Sequence, residues 1–162
     1  MTGSRDVRRL LQMLDQAYDH RSWHGANLRG SIRGVSVERA CWRPGRGRHN
    51  IWEIVVHAAY WKYVARRRLT GERRGSFPLK GSNWFRRPQE ATEPAWHADV
   101  ELLEQMHRSL RVAVRQLTSS DLSHAPKGST VPNIFLLSGI VAHDICHAGQ
   151  IQLLKKLSAT RR

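Results

Sequence analysis

Four stretches of the chain place apolar residues three or four positions apart, which is the periodicity of a helix with one buried face. They predict helices at about residues 4–29, 50–70, 92–117 and 134–151. No stretch alternates apolar and polar residues in the manner of a strand. The pattern therefore predicts an all-α fold in which four helices form a bundle.

The connections between these helices are long and rich in glycine, proline and polar residues. Asn50 suits the N-cap of the second helix, with Glu53 three residues later, and Gly71 suits its end. Because all three connections are long, neighbouring helices need not run alternately up and down. Residues 1–162 are expected to form a single domain of this kind.

The fourth predicted helix is apolar nearly all round, which predicts burial on all sides. It carries His143 and His147, four residues apart and therefore on one face. Two imidazoles so placed can chelate one metal ion, as they do in the helical HExxH motif. On spacing alone, two hydrogen-bonded core histidines are an equal alternative.

His57 is the best third ligand, because it lies on the core stripe of the second predicted helix. A catalytic zinc site typically has three protein ligands and one open position. Asp144 occupies the place of the glutamate in HExxH, but its side chain is shorter and no third zincin ligand follows. It points about 100° round the helix from His143, which favours an outer-shell or salt-bridge role.

The chain is strongly basic, with 27 Lys and Arg against 13 Asp and Glu and a formal net charge of +14. Such a charge raises nucleic acid as a partner. The arginines occur in short scattered clusters, however, and no nucleic-acid-binding motif is present, which favours a solvated arginine-rich surface. Two cysteines form no disulfide framework, and no apolar run is judged long enough to span a membrane. These features predict a soluble, cytoplasmic protein.

Two segments resemble a known family. Residues 143–151, HDICHAGQI, resemble the HxxxHxGQI signature in the last helix of DinB-like proteins, the DinB/YfiT superfamily. Residues 49–57, HNIWEIVVH, resemble their second helix, which supplies the remaining histidine ligand. Residues 22–25, 42–44 and 80–84 resemble elements of one branch of the family.

The resemblance implies a four-helix bundle, often dimeric, that holds zinc, nickel or a similar divalent ion on His57, His143 and His147. Relatives of known activity include thiol transferases that use bacillithiol or mycothiol and a thiol-dependent maleylpyruvate isomerase. The resemblance therefore predicts a homodimer with a small-molecule substrate, a low-molecular-weight thiol being one candidate.

The leading hypothesis is a metal-dependent thiol S-transferase or hydrolase. The candidates to line its pocket are His24, Trp52 and Trp61, of which His24 is also a candidate for a further ligand. The candidates to orient ligands or substrate are Asp144 and Gln150. No residue is identified as catalytic. The alternatives are a non-catalytic metal-binding stress-response module, a basic nucleic-acid-associated module, and a bundle with a purely structural metal.

Overall fold

In a computed structural model of the protein, residues 4–159 are described. This part of the chain forms helices and no strand, which confirms the all-α prediction. The helices are α1 Arg5–Tyr18, α2 Leu28–Ser31, α3 Val37–Cys41, α4 Ile51–Thr70, α5 Glu93–Arg115, α6 Ser119–Ser123 and α7 Asn133–Ala159.

Four of these helices are long and pack around a shared core. α4 packs against α5 and α7, and α1 packs against the same two helices, so that the four contact one another in a ring. One cluster of buried apolar residues joins α4 to α5 and to α2 and α3, and a second joins α1, α5 and α7. The interface between α4 and α7 is the one that holds the candidate site.

The first helix is shorter than predicted. α1 ends at Tyr18, and the polar residues that follow form hydrogen bonds within their own turn. The hydroxyl of Ser22 donates to the carbonyl of Gly25, and α2 begins after Asn27, whose side chain is the N-cap. Such local side-chain bonds compete with continued helix. The core stripe that was predicted to include His24 therefore does not exist beyond α1.

The predicted bounds of α4 are confirmed. The side-chain oxygen of Asn50 accepts a hydrogen bond of 2.8 Å from the backbone N–H of Glu53. At the other end Gly71 has a φ of 72°, a left-handed conformation that glycine adopts without steric cost. α5 likewise begins where predicted, after the N-cap Thr92.

Glu53 ties two connections to the start of α4. Both terminal nitrogens of Arg43 donate to its carboxylate, at 2.8 and 2.6 Å, and Nδ1 of His49 lies 2.9 Å from the same group. The backbone N–H of Arg87 is 3.4 Å from it. Burial alone raises the pKa of Glu53, but the bonds from Arg43 and His49 lower it to about 2, so the carboxylate stays charged. The connections before and after α4 are thereby held beside its first turn.

α7 is apolar all round, as predicted, but it is not buried on all sides. Phe135, Leu153 and Leu157 are exposed on its outer face, and the helix continues to Ala159. By length and composition α7 could cross a membrane, contrary to the sequence prediction, although only 39% of its most apolar window is buried. A core helix passes the same test, and α7 packs against α1, α2 and α4 while burying Asp144 completely. We therefore interpret it as a core helix of the bundle.

Candidate metal centre

Three histidine rings meet where α4 faces α7. Nε2 of His143 lies 3.0 Å from Nε2 of His57 and 3.0 Å from Nε2 of His147. α7 supplies two of the rings from successive turns, and α4 supplies the third from the facing helix. All three ligand atoms lie within 4.8 Å of one another. The structure thus brings together the three residues that sequence analysis selected as ligands.

The outer ring nitrogens of two of these histidines have fixed partners. Nδ1 of His57 lies 2.8 Å from the backbone carbonyl of Asn83, and Nδ1 of His147 lies 2.8 Å from Oε1 of Gln150. A carbonyl oxygen can only accept, so Nδ1 of His57 carries the proton. In the neutral ring, Nε2 of His57 then presents a lone pair to the cluster. Outer partners of this kind orient the imidazoles of metal sites.

All three histidines are held in the neutral form. Burial lowers the pKa of His57 to about 4, and burial together with the neighbouring His147 and His57 lowers the pKa of His143 to about 3. Burial also lowers the pKa of His147. Metal binding requires an unprotonated nitrogen, and a neutral imidazole has one, so none of these rings has to lose an imidazolium proton at neutral pH.

The cluster suits a divalent ion. Nε2 of His143 lies 3.0 Å from two other ring nitrogens, and a single N–H proton could be shared with only one of them at full strength. Zinc binds histidine nitrogen at about 2.0–2.1 Å, which in a tetrahedral site separates the nitrogens by roughly 3.3 Å. The 3.0 Å separations at His143 are close to that value. An all-imidazole donor set is typical of zinc, nickel and copper sites.

Indole rings flank the cluster on two sides. Trp84 stacks on His57 at a centroid distance of 3.8 Å, and its other face stacks on His49 at 3.6 Å. Trp61 meets His57 and His143 edge to face, at 6.4 and 6.3 Å. Trp61, which was predicted to line the pocket, lies beside the histidine cluster. The indoles limit the directions from which water can reach the histidines.

Asp144 contacts Lys62 rather than a histidine. The ammonium of Lys62 on α4 donates to its carboxylate, and both side chains are fully buried. The same ammonium lies 4.9 Å from the ring centroid of Tyr18 on α1. Of the two roles weighed for Asp144, the structure shows the salt bridge. This ion pair crosses the α4–α7 interface within one residue of His143.

Two predicted pocket residues lie elsewhere. His24 is exposed in the turn between α1 and α2 and is not part of the histidine cluster, because α1 ends six residues earlier. Trp52 belongs to the core between α4 and α5, where its Nε1 donates to Asp99 at 2.7 Å and its ring meets Trp96 edge to face. Trp52 and His57 are five residues apart, which places them on different sides of α4.

Three residues at the site were not singled out from the sequence, namely Asn83, Trp84 and Lys62. Asn83 and Trp84 come from the connection after α4, and Asn83 acts through its backbone carbonyl, which any residue could supply. Their segment was noted for its family resemblance, which was the one available signal. Lys62 lies five residues after His57 in an otherwise apolar part of α4, and a lysine at a core position was a second signal.

Comparison with known families gives a match to one superfamily profile over most of the chain. The DinB superfamily profile matches residues 20–151, which include all three clustered histidines. No curated protein and no solved structure matches this chain significantly. The matched region covers most of the chain and carries the complete histidine cluster. The chain therefore belongs to the DinB superfamily.

Proposed function

We propose that this protein is a metal-dependent enzyme in which His57, His143 and His147 bind one divalent ion, zinc or nickel. The observation that supports this most directly is the meeting of three neutral Nε2 atoms, with His143 3.0 Å from each of the other two. Asn83 and Gln150 hold two of the rings in the ligand orientation. Three protein ligands leave a coordination position open for water, a thiol or substrate.

A bound divalent ion lowers the pKa of a coordinated water or thiol toward neutrality, which is the chemistry that hydrolysis and thiol transfer share. The side chains around it bind, orient and exclude water. Trp61 and Trp84 shield the histidines, while Asp144 is occupied by Lys62. We propose thiol S-transfer, with a low-molecular-weight thiol as one substrate, ahead of hydrolysis, because no carboxylate is free in the cluster of described residues to act as general base.

Metal binding is tested by reconstituting chelator-treated protein with Zn²⁺ and with Ni²⁺. We expect one ion per chain by elemental analysis, and loss of that ion in His57→Ala. His24→Ala is the matched control, because His24 is an exposed histidine outside the cluster. Retention of the metal by His57→Ala, or its equal loss from His24→Ala, would contradict the assigned ligands.

The open position is tested with Co²⁺ as a spectroscopic substitute. Addition of a small thiol such as N-acetylcysteine should produce a sulfur-to-cobalt charge-transfer band in the near ultraviolet. The band should be absent in His57→Ala, which lacks one ligand. A closed, purely structural site would bind cobalt and show no such band.

We also propose that the protein is a cytoplasmic homodimer. The outer face of α7 exposes 68% of Phe135, 57% of Leu153 and 42% of Leu157, a row of apolar side chains that a second copy would cover. Cys41 and Cys146 are free thiols, as expected in a reducing compartment. Sedimentation equilibrium should give a dimer for the native chain and a monomer for Phe135→Ser. Val112→Ser, an equally exposed apolar position on α5, should remain dimeric.

A further inference from the structure

A cavity of about 780 Å³ opens between the second half of α4 and residues 74–83. Its size is within the range of small-molecule sites. Aromatic rings form part of its lining, since Phe77 lies 5.3 Å from both Tyr60 and Tyr63, centroid to centroid. No acidic side chain is among the described residues that line it. The basic side chains of the lining are Arg67, Arg68, Arg74 and Lys80.

A second cavity of about 310 Å³ adjoins the first and shares Arg67, Arg68 and Arg74 with it. It adds Lys127 and one acidic residue, Glu72. The carboxylate of Glu72 is already engaged, because it lies 2.6 Å from Arg66 and accepts a bond of 2.6 Å from the hydroxyl of Ser76.

One of the shared arginines, Arg67, has an unused donor, while its Nη1 donates to the backbone carbonyl of Glu72 at 3.4 Å. The Nε of Arg67 is buried and has no hydrogen-bond partner among the described residues. A buried donor without a protein partner is available to a water or ligand acceptor. Guanidinium groups bind carboxylate, sulfonate and phosphate oxygens with paired hydrogen bonds. The place where the two cavities meet therefore has the chemistry of an anion site.

The larger cavity extends to two residues that contact the histidine cluster, although none of the three histidines is among its lining residues. Trp61 and Asn83 line it, and both contact the cluster. The carbonyl of Asn83 bonds to His57, and the ring of Trp61 lies 6.3 Å from that of His143. Nε1 of Trp61 donates to the side chain of Asn83 at 2.9 Å, which joins the two residues into one wall. A molecule in the cavity would touch this wall.

We propose that the cavity binds the substrate of the metal site, and that this substrate is a small organic anion with a flat apolar or aromatic body. Its anionic group lies at Arg67, Arg68 and Arg74, and its body lies along Tyr60 and Phe77. The opposite end then faces the wall beside the histidines. The inference rests on the proposed function, because it names a substrate class for that site.

The first test compares three probes by isothermal titration calorimetry at constant ionic strength. 2-Naphthalenesulfonate has the anion and the aromatic body, 2-naphthalenesulfonamide has only the body, and inorganic sulfate has only the anion. We expect the sulfonate to bind at least about tenfold more tightly than either of the others, because only the sulfonate has both a charged group for the guanidiniums and an apolar body for the aromatic rings. Equal binding of the sulfonamide or of sulfate would overturn the proposal.

The second test separates a built site from general attraction to a basic protein. Arg68→Gln/Arg74→Gln removes two cations that line the cavities. Arg73→Gln/Arg86→Gln removes two exposed arginines that do not line them. The first pair should weaken sulfonate binding about tenfold, and the second by less than about twofold, as expected for exposed charges. Equal losses in the two double variants would overturn the proposal.

The third test asks whether the probe lies beside the metal. In the Co²⁺-loaded protein, the naphthalene protons of the bound sulfonate should relax faster by NMR than in the Zn²⁺-loaded protein. Binding without this enhancement would overturn the placement.

Metal content is measured on the same samples. A protein that takes up no metal refutes the proposed function, and the arginine comparison is then decided on the metal-free protein. A metal-loaded protein with equal losses in both double variants refutes only this inference.

Discussion

The orientation of His147 depends on one side-chain acceptor, the Oε1 of Gln150, 2.8 Å from its Nδ1. Removal of such an outer partner typically lowers metal affinity by about ten- to a hundredfold. We expect this loss in Gln150→Leu, measured by competition with a chromophoric chelator. Gln152→Leu, two residues further along α7, should bind metal as the native chain does. Unchanged affinity in Gln150→Leu would mean that the hydrogen bond does not position the ligand.

His107 provides a separate prediction on acid stability. It is buried against Tyr18, with ring centroids 3.7 Å apart, and burial lowers its pKa to about 2. The unfolded chain binds a proton here near the ordinary pKa of about 6.5, whereas the folded chain does not. The contribution of this pKa difference to the free energy of unfolding is therefore complete above about pH 6.5. It is lost as the pH falls from there toward 2.

The measurement is urea unfolding of the metal-free protein at pH 7 and pH 5, in the native chain and in His107→Phe, which keeps a ring against Tyr18. One proton accounts for about 1.4 kcal/mol per pH unit. The native chain should therefore lose about 2 kcal/mol more than the variant over this interval. An equal loss in both would show that His107 is protonated in the folded state.

At the residue scale, the sequence identified the three clustered histidines better than their surroundings. Helical spacing indicated His143 and His147, and the core stripe indicated His57. The partner of His57 is a backbone carbonyl in an irregular connection, and its position depends on how residues 71–92 fold over α4. No side-chain pattern encodes that position, so Asn83 could not be assigned this role in advance.

Among the helices, the buried pair of Lys62 and Asp144 joins α4 to α7. Lys62→Met would leave a buried carboxylate without its partner, which typically costs about 3–5 kcal/mol. We expect a loss of that size in the free energy of unfolding, measured with urea. Lys62→Met/Asp144→Leu should recover at least half of it, because both charges are then gone.

Lys156→Met changes an exposed lysine on α7 and should have little effect. If Lys62→Met were equally harmless, the pair would not hold the two helices together. A double variant that regains stability but binds metal weakly would show that the pair sets the register of His57 against His143.

At the element scale, helix ends were predictable wherever a local cap defines them, as at Asn50 and Gly71. The prediction was wrong where periodicity continued by coincidence. His24 and Leu28 extend the spacing of α1, but the turn between them and Tyr18 is stabilised by its own polar side chains. The burial of α7 was also overestimated, because an apolar circumference does not reveal whether another helix covers every side.

At the scale of the whole molecule, a metal ion would bridge α4 and α7 and stabilise the fold. A ligand at a hundred times its Kd adds about 2.7 kcal/mol to stability. For a chain of this size the melting temperature should rise by roughly 5–10 °C on addition of Zn²⁺ or Ni²⁺. Calorimetry should show no rise in His57→Ala, and an equal rise there would place the ion elsewhere.

The number of basic residues could be read from the sequence, but their positions on the folded protein could not. Folding brings Lys127 to the same pair of adjoining cavities as Arg68 and Arg74. Other arginines form structural ion pairs, such as Arg43 with Glu53 and Arg111 with Asp15. Net charge alone therefore did not distinguish a solvated surface from a local anion site.

The indole of Trp84 stacks on His57 at a centroid distance of 3.8 Å, so its fluorescence would report metal binding at the cluster. An open-shell ion such as Ni²⁺ bound to that imidazole quenches indole emission at short range, whereas closed-shell Zn²⁺ does not. Occupancy and metal type can then be followed by intrinsic fluorescence, without a label. Trp84→Phe removes the reporter that stacks on His57 and leaves five tryptophans, of which Trp61 also lies beside the cluster and Trp23 is fully exposed.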